Sequence, residues 1–158
     1  MRVRQLGDDD WQAARDIRLA ALATSPPGTF GSTYEEASTW DDQRWRQWYS
    51  TRKTFFIVES QTTPLGCAGL LFENLGPVLV SVWVTPTARG TGASDLLLEW
   101  IARWVRARGH AQLRLWVMEG NTPAEKLYRR QGFLPTGRRQ LISPHSPNVE
   151  NEMVRELR

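Results

Sequence analysis

The stretch from residue 82 to residue 94 reads Val-Trp-Val-Thr-Pro-Thr-Ala-Arg-Gly-Thr-Gly-Ala-Ser and has the composition of an anion-binding turn. A run of β-forming residues stops at Pro86, and an amphipathic helix follows the glycines. The first turn of a helix has backbone N–H groups without intrahelical partners, and the helix dipole is positive there, so phosphate oxygens are favoured. Small residues let a ligand approach the backbone closely. The candidate phosphate-binding residues are Arg89, Gly90, Thr91, Gly92, Ala93 and Ser94.

Two familiar phosphate loops are excluded for this stretch. A Walker loop needs Gly-x-x-x-x-Gly-Lys followed by Ser or Thr, and no lysine is present here. The dinucleotide fingerprint needs Gly-x-Gly-x-x-Gly, which the stretch also lacks. The pattern that remains is Arg-x-x-Gly-x-Ser.

A second segment, residues 121–133, combines a helix start, a tyrosine and a glycine stop. Thr122 and Glu125 are predicted to form a capping box, with Pro123 at the first helical position and Gly132 ending the helix. One face of this helix carries Ala124, Leu127, Tyr128 and Gln131. A tyrosine on such a face is more often structural than catalytic.

Both segments resemble motifs of the GCN5-related N-acetyltransferase (GNAT) family. Residues 89–94 are similar to its pyrophosphate loop, with Ser94 where glycine or alanine is usual. Residues 121–133 match the pattern Asn-x-x-Ala-x-x-Leu-Tyr-x-x-x-Gly-Phe at every fixed place, and the two motifs stand in the family's order. The resemblance implies an acetyl-CoA-dependent N-acetyltransferase with Tyr128 as its general acid.

The elements that must position these motifs follow from hydrophobic patterning. Residues 78–84 are apolar enough for a central strand covered on both faces, and the helix after the loop has apolar residues at three- and four-residue steps. Other strands are predicted near residues 3–6, 55–58, 65–72, 112–117, 133–138 and 152–157, and other helices near residues 9–23 and 39–52. We expect an α/β GNAT fold in one domain, residues 1–158, with a mixed sheet of about six to seven strands and about four helices.

The resemblance also implies where the cofactor lies. In the GNAT fold the fourth and fifth strands splay apart, and the cleft between them holds the cofactor arm. Backbone groups of Val82, Trp83 and Val84 would pair with the pantetheine amides like an added strand. Residues 89–94 would hold the pyrophosphate, and Asn121 would contact the arm from the other wall.

The expected chemistry is direct acetyl transfer to an amine. An alkyl amine with a pKa of ~10.4 is almost entirely protonated at pH 7, so the site must remove a proton or favour the neutral amine. A carboxylate, a histidine or a water chain could remove the proton. The candidate bases are Glu35, Glu36, Glu73 and Glu119, although each is more often a surface carboxylate. A backbone N–H near Val84 would stabilise the oxyanion. A phenol of pKa ~10 donating to a thiolate of pKa ~8.5 is uphill by about 2 kcal/mol, so the hydrogen bond of Tyr128 matters more than full proton transfer.

The acceptor is expected to bind near residues 25–40, which join the first helices. Phe30 and Tyr34 with the acidic residues Glu35 and Glu36 would suit a cation, or they would only pack a loop against the core. A small-molecule primary amine is the first choice. The alternatives are a protein amine and a non-catalytic acyl-CoA-binding sensor module.

The composition of the chain limits the partners, the metal sites and the cellular location that can be expected. The net charge of +3 suits a polyanionic cofactor, but no nucleic-acid-binding motif is present. No apolar run approaches the ~20 residues of a membrane span and no secretion signal is evident, so a cytoplasmic location is expected. Cys67 lies in an apolar run and is expected to be a small buried residue. His110 and His145 lack metal-ligand spacing, so no metal is expected, and a homodimer is possible because dimers are common in the family.

Overall fold

The computed structural model describes residues 1–26, 29–30, 32–51 and 54–158. The strands are β1 (Arg2–Gln5), β2 (Thr54–Ser60), β3 (Thr63–Glu73), β4 (Gly76–Val84), β5 (Gln112–Met118), β6 (Leu134–Leu141) and β7 (Val149–Glu156). The helices are α1 (Trp11–Thr24), α2 (Tyr34–Ala37), α3 (Asp42–Ser50), α4 (Ala93–Ala107) and α5 (Thr122–Arg130). A short 3₁₀ turn, Pro86–Ala88, separates β4 from α4.

The strands form one seven-stranded sheet in the order β1-β2-β3-β4-β5-β7-β6. β4 and β5 are parallel, whereas the pairs β1–β2, β2–β3, β5–β7 and β6–β7 are antiparallel. The register of β4 with β5 is limited to Val78 with Arg114 and Leu79 with Leu115, as expected for strands that splay. The predicted mixed α/β fold is therefore confirmed.

The described part of the chain contains one helix more than the sequence predicts. Helix α2 lies inside the segment that was expected to be a loop, residues 25–40. Thr33 caps it, since its hydroxyl oxygen accepts a hydrogen bond from the N–H of Glu36 at 3.1 Å, and the acidic Glu35 and Glu36 favour the positive end of the helix dipole. Four residues are too few to show a helical period.

Helix α4 begins at Ala93, directly after the glycines as predicted, because Gly90 and Gly92 have φ values of 79° and 89° that a helix cannot contain. One other boundary differs from the prediction. The predicted second helix, residues 39–52, begins at Asp42, and residue 52 lies outside the described residues. Residues 28 and 31 of the expected acceptor segment are also outside the described residues, as is residue 27.

The chain divides into two compact units. The first comprises Met1–Leu70 and Ser81–Leu97, and the second Leu71–Val80 and Leu98–Arg158. The core of the first unit is formed by Leu6, Ala14, Ile17, Ala21, Tyr49, Phe55, Ile57, Cys67 and Trp83, with Trp11, Phe30 and Trp48 packed against it. The single-domain interpretation stays a prediction.

The second unit is built on β5 and β7. Alternate residues of β5 are buried, namely Leu113, Leu115 and Val117, which is the pattern of a strand with one face in a core. From β7, Arg155 contacts Glu99 of α4 and Gln131 after α5, each at 3.4 Å. These contacts hold both helices on the same face of the strand. No helix of the described residues is long and apolar enough to cross a membrane.

Candidate active site

The glycine-containing turn after β4 is stabilised by its own hydrogen bonds. Arg89 Nε donates to the carbonyl of Val84 at 3.4 Å, and the hydroxyl of Thr91 donates to the carbonyl of Ala88. The carbonyl of Gly92 accepts from the N–H of Leu96 at 3.0 Å, the first hydrogen bond of α4. The positive φ angles of the two glycines make this compact path possible.

Two amides of the turn are used within it. The N–H of Arg89 donates to the carbonyl of Pro86 and the N–H of Thr91 to the carbonyl of Ala88, each at 3.3 Å. This differs from the expectation that the whole turn presents unpaired amides. The positions whose amides remain candidates for a phosphate are Gly90, Gly92, Ala93 and Ser94. They lie at the N-terminus of α4, where the helix dipole favours an anion.

The end of β4 is anchored to α1 through its tryptophan. Trp83 is 7% exposed, and its indole Nε1 donates to the hydroxyl of Thr24 at 3.1 Å. Val84 is equally buried, whereas Val82 is half-buried. The side chains of Trp83 and Val84 thus face the protein interior, and pairing of an extended ligand with the backbone of residues 82–84 stays a prediction.

The residue that precedes this segment, Ser81, has an unusual backbone conformation. Ser81 has a φ of 57°, a left-handed conformation that is uncommon outside glycine. Its carbonyl accepts from the thiol of Cys67, and its hydroxyl accepts from Arg18 Nη1, each at 3.4 Å. The guanidinium of Arg18 lies 4.7 Å from the ring centre of Phe30 and 5.5 Å from that of Trp48. Contacts from β3 and α1 therefore stabilise a backbone conformation that would otherwise cost free energy.

Cys67 is a structural residue, as predicted. Its side chain is buried, and burial raises the pKa of the thiol to about 12. A thiol with that pKa stays protonated at neutral pH and is a poor nucleophile.

Helix α5 begins one residue earlier than predicted. Asn121 is the N-cap, and its side-chain oxygen accepts from the N–H of Ala124 at 3.4 Å. The predicted capping box of Thr122 with Glu125 is therefore wrong, because Glu125 falls at the fourth helical position and pairs with Arg129 at 3.2 Å. Asparagine is among the best N-cap residues, so a helix capped by Asn121 is favoured over one capped by Thr122.

Tyr128 lies on the inner face of α5. It is 8% exposed, and its ring contacts Phe133 edge-on with a centroid distance of 5.9 Å. Burial raises the pKa of the Tyr128 phenol to about 12. Proton transfer from this phenol to a thiolate of pKa ~8.5 is then uphill by about 5 kcal/mol, more than sequence reasoning indicates.

The four carboxylates considered as bases are all exposed. Glu73 and Glu36 face solvent, and Glu119 pairs with Arg139 at 3.1 Å. Glu35 is also exposed, but it lines the cavity described below.

Sequence reasoning missed the carboxylates that are buried. Glu59 is 4% exposed and pairs with two arginines of β1, the nearer at 2.9 Å. Glu152 is 2% exposed, and its carboxylate accepts from Arg114 at 3.2 Å, Arg138 at 3.1 Å and the hydroxyl of Thr136 at 2.8 Å. Glu152 stands inside a predicted strand and Glu59 directly follows one, but their partners are known only once the strand register is known.

A cavity of about 470 Å³ lies beside the segment that was expected to shape the acceptor pocket. Its lining combines aromatic rings, hydroxyls and one carboxylate. The lining residues are Leu22, Ala23, Ser25, Pro26, Phe30, Ser32, Thr33, Tyr34 and Glu35. Phe30, Tyr34 and Glu35 are thus brought together as expected, whereas Glu36 is not among the lining residues. The cavity belongs to the first unit.

The predicted site residues are divided between the two units. Residues 82–84 and 89–94 belong to the first, and Asn121 and Tyr128 to the second. Among the described residues, no group of three or more histidine, cysteine or acidic side chains could hold a metal ion. His110 and His145 do not belong to such a group.

The chain is similar to known proteins in sequence and in fold. The sequence model of the acetyltransferase (GNAT) family matches residues 15–133. None of the curated proteins matches the chain.

Solved structures share the fold at low sequence identity. A ribosomal-protein-alanine N-acetyltransferase from Brucella melitensis is 21% identical with a TM-score of 0.78, covering 99% of both chains. A putative acetyltransferase from Salmonella typhimurium, solved with its cofactor acetyl-CoA, is 18% identical with a TM-score of 0.76, covering 100% of this chain and 94% of the other. A putative phosphinothricin N-acetyltransferase is 17% identical with a TM-score of 0.71, covering 99% of this chain and 98% of the other.

Proposed function

The chain belongs to the acetyltransferase (GNAT) family, and from this premise we propose that it transfers the acetyl group of acetyl-CoA to a small-molecule primary amine by direct attack in a ternary complex. The observation that carries the choice of acceptor is the cavity of about 470 Å³ lined by residues of α1 and α2. Pockets of ~300 to 1,000 Å³ suit small organic ligands.

The cofactor is proposed to bind through main-chain groups. The amides of Gly90, Gly92, Ala93 and Ser94 would hold the pyrophosphate, with the exposed guanidinium of Arg89 adding positive charge. The backbone of residues 82–84 would pair with the pantetheine amides, and the side-chain amide of Asn121 would donate to the arm. Residues 1–158 would act as one N-acetyltransferase domain.

The reaction is proposed to begin with loss of a proton from the acceptor ammonium. Glu35 is the candidate base that lines the cavity, so we assign it the role of attracting the ammonium and accepting its proton. The neutral amine attacks the thioester carbonyl, and a backbone N–H near Val84 stabilises the oxyanion. The attacking nitrogen then loses its second proton to solvent, which leaves a neutral amide when the C–S bond breaks. As the C–S bond breaks, the hydroxyl of Tyr128 donates a hydrogen bond to the CoA thiolate.

The role of Glu35 can be tested with a matched control in the same helix turn. Glu35→Gln removes the carboxylate of the cavity, whereas Glu36→Gln removes an equal charge from an adjacent residue outside the lining. We expect Glu35→Gln to lower kcat/KM for a cationic amine about ten-fold or more, with Glu36→Gln within about two-fold of wild type. Equal kinetics for the two variants would remove Glu35 from the mechanism.

Acceptor class is tested by measuring CoA thiol release with a panel of small primary amines and with a peptide whose N-terminal residue is alanine. Small amines are expected to be the better acceptors. Preference for the peptide would favour the protein amine alternative, the class of acceptor that the name of the Brucella melitensis enzyme indicates for that enzyme. Calorimetric binding of acetyl-CoA without transfer to any acceptor would favour a sensor module. A homodimer and a cytoplasmic location stay predictions.

A further inference from the structure

Strand β3 passes the end of β4 at Gly66 without space for a side chain. A Cβ atom on Gly66 would lie 2.6 Å from the carbonyl oxygen of Trp83, 2.8 Å from Cγ2 of Val84 and 3.2 Å from its Cα. Real Cβ atoms essentially never approach another heavy atom closer than 3.0 Å. The nearest atom belongs to the backbone, so a rotamer change cannot relieve the contact. Glycine is required here for close approach of two strands.

The end of β4 is not free to move away from β3. The N–H of Thr85 donates to the carbonyl of Leu65 at 2.8 Å, directly beside the close contact. On the other side, the indole of Trp83 donates to the hydroxyl of Thr24, and its ring is part of the core of the first unit. Residues 83–84 are therefore held from β3 and from α1 at the same time.

From these contacts we infer that Gly66 and Thr24 are positioning residues for the acyl carrier. This inference rests on the proposed function, in which the backbone of residues 82–84 pairs with the pantetheine arm. Gly66 sets how closely β4 lies against β3, and Thr24 fixes the Trp83 side chain. Together they determine where the backbone of residues 82–84 lies.

The substitution Gly66→Ala should displace the strand by a predictable amount. The new methyl and the carbonyl oxygen of Trp83 must separate by at least about 0.4 Å to reach even the shortest real contact. Hydrogen bonds weaken steeply as their geometry departs from the optimum, and misplacement of a reacting group by ~1 Å can cost about 100-fold in rate. We expect acetyl-CoA affinity and turnover each to fall about ten-fold.

A ligand without the arm separates positioning from general destabilisation. Adenosine 3′,5′-bisphosphate has no pantetheine, so it cannot pair with β4. Calorimetry should show acetyl-CoA binding about ten-fold weaker to Gly66→Ala than to wild type, with bisphosphate binding unchanged within two-fold. The matched control is Gly7→Ala, where a Cβ would meet only Asp10 Oδ2 at 3.5 Å, and both ligands should bind it as they bind wild type.

The outcomes distinguish this inference from the proposed function. If wild type fails to bind acetyl-CoA, the proposed function is wrong and the positioning role falls with it. If wild type binds acetyl-CoA and Gly66→Ala binds it equally well, or loses both ligands in parallel, only the positioning role is overturned. Should Gly66→Ala not fold, Thr24→Val supplies the test, because it removes the hydroxyl acceptor of the Trp83 indole. It should weaken acetyl-CoA binding about three-fold and leave bisphosphate unchanged; unchanged binding of both ligands would overturn the inference.

Discussion

Replacing Tyr128 with phenylalanine isolates the hydroxyl that is proposed to assist departure of the thiolate. The ring contact with Phe133 is edge-on, at a centroid distance of 5.9 Å, and phenylalanine can retain it. The side chain is buried, so loss of the hydroxyl leaves the apolar surroundings of the ring unchanged. We therefore expect Tyr128→Phe to fold and to bind acetyl-CoA with unaltered affinity.

The size of the effect follows from the acidity of the phenol. Burial raises the pKa of Tyr128 to about 12, so complete proton transfer to a thiolate of pKa ~8.5 is unfavourable by about 5 kcal/mol. A hydrogen bond to a charged group contributes roughly 1.5 to 3 kcal/mol without any transfer. Loss of that bond in the transition state should slow acetyl transfer by about 10- to 100-fold.

Single-turnover measurement of thiol release at saturating acetyl-CoA reports this step directly. Tyr49→Phe is the control, because it also removes a tyrosine hydroxyl from a buried side chain, one that donates to the carbonyl of Gly7. The control should keep the wild-type rate. A wild-type rate in Tyr128→Phe would exclude the hydroxyl from the mechanism, and a rate that follows ionisation of a tyrosine below pH ~10 would contradict the raised pKa.

Three further predictions concern the loop, the core and the second unit. Gly92→Ala forces a side chain into a φ of 89°, which costs about 1 to 2 kcal/mol unless the turn changes its conformation. A changed turn would misplace the amides that are proposed to hold the pyrophosphate, so acetyl-CoA affinity measured by calorimetry should fall about ten-fold. The raised pKa values of Cys67 and Tyr128, each about 12, mean that the folded state holds these protons more tightly than the unfolded state. Their stabilisation is complete below pH ~9 and is lost as pH rises towards 12, so urea titrations should show the free energy of unfolding falling across this range. Glu152→Gln leaves Arg114 without its buried carboxylate and should reduce the free energy of unfolding by about 3 kcal/mol.

Each of these predictions has a matched comparison. Gly137 has the same φ of 89° in β6, so Gly137→Ala introduces equal strain and should leave acetyl-CoA binding intact; equal losses in both variants would exclude a special role for Gly92. Cys67→Ala should lessen the alkaline loss of stability, and an unchanged slope would contradict the shift assigned to the thiol. Glu150→Gln, in the same strand but bonded to Gln140, should change stability by less than ~0.5 kcal/mol.

Sequence alone predicted the elements whose signals are local. The glycine-containing turn before α4 was recognisable because two glycines and a following apolar period lie within one stretch of chain, and helix formation depends on contacts three to four residues apart. The position of Tyr128 on an inner helix face follows from the same period, and its burial agrees with that interpretation. The start of α5 was misassigned by one residue because adjacent Asn121 and Thr122 are both good caps.

What only the tertiary structure decided depends on residues far apart in sequence. The insertion of β7 between β5 and β6, the paired carboxylate of Glu152 and the close approach at Gly66 all need strand register, which no local pattern encodes. The pKa of Tyr128 belongs to the same group, because burial comes from packing against other elements. The sequence by itself therefore determined the family, the fold class and the candidate residues. Packing decided how acidic those residues are and how firmly their strand is held, because both depend on what surrounds a group in space.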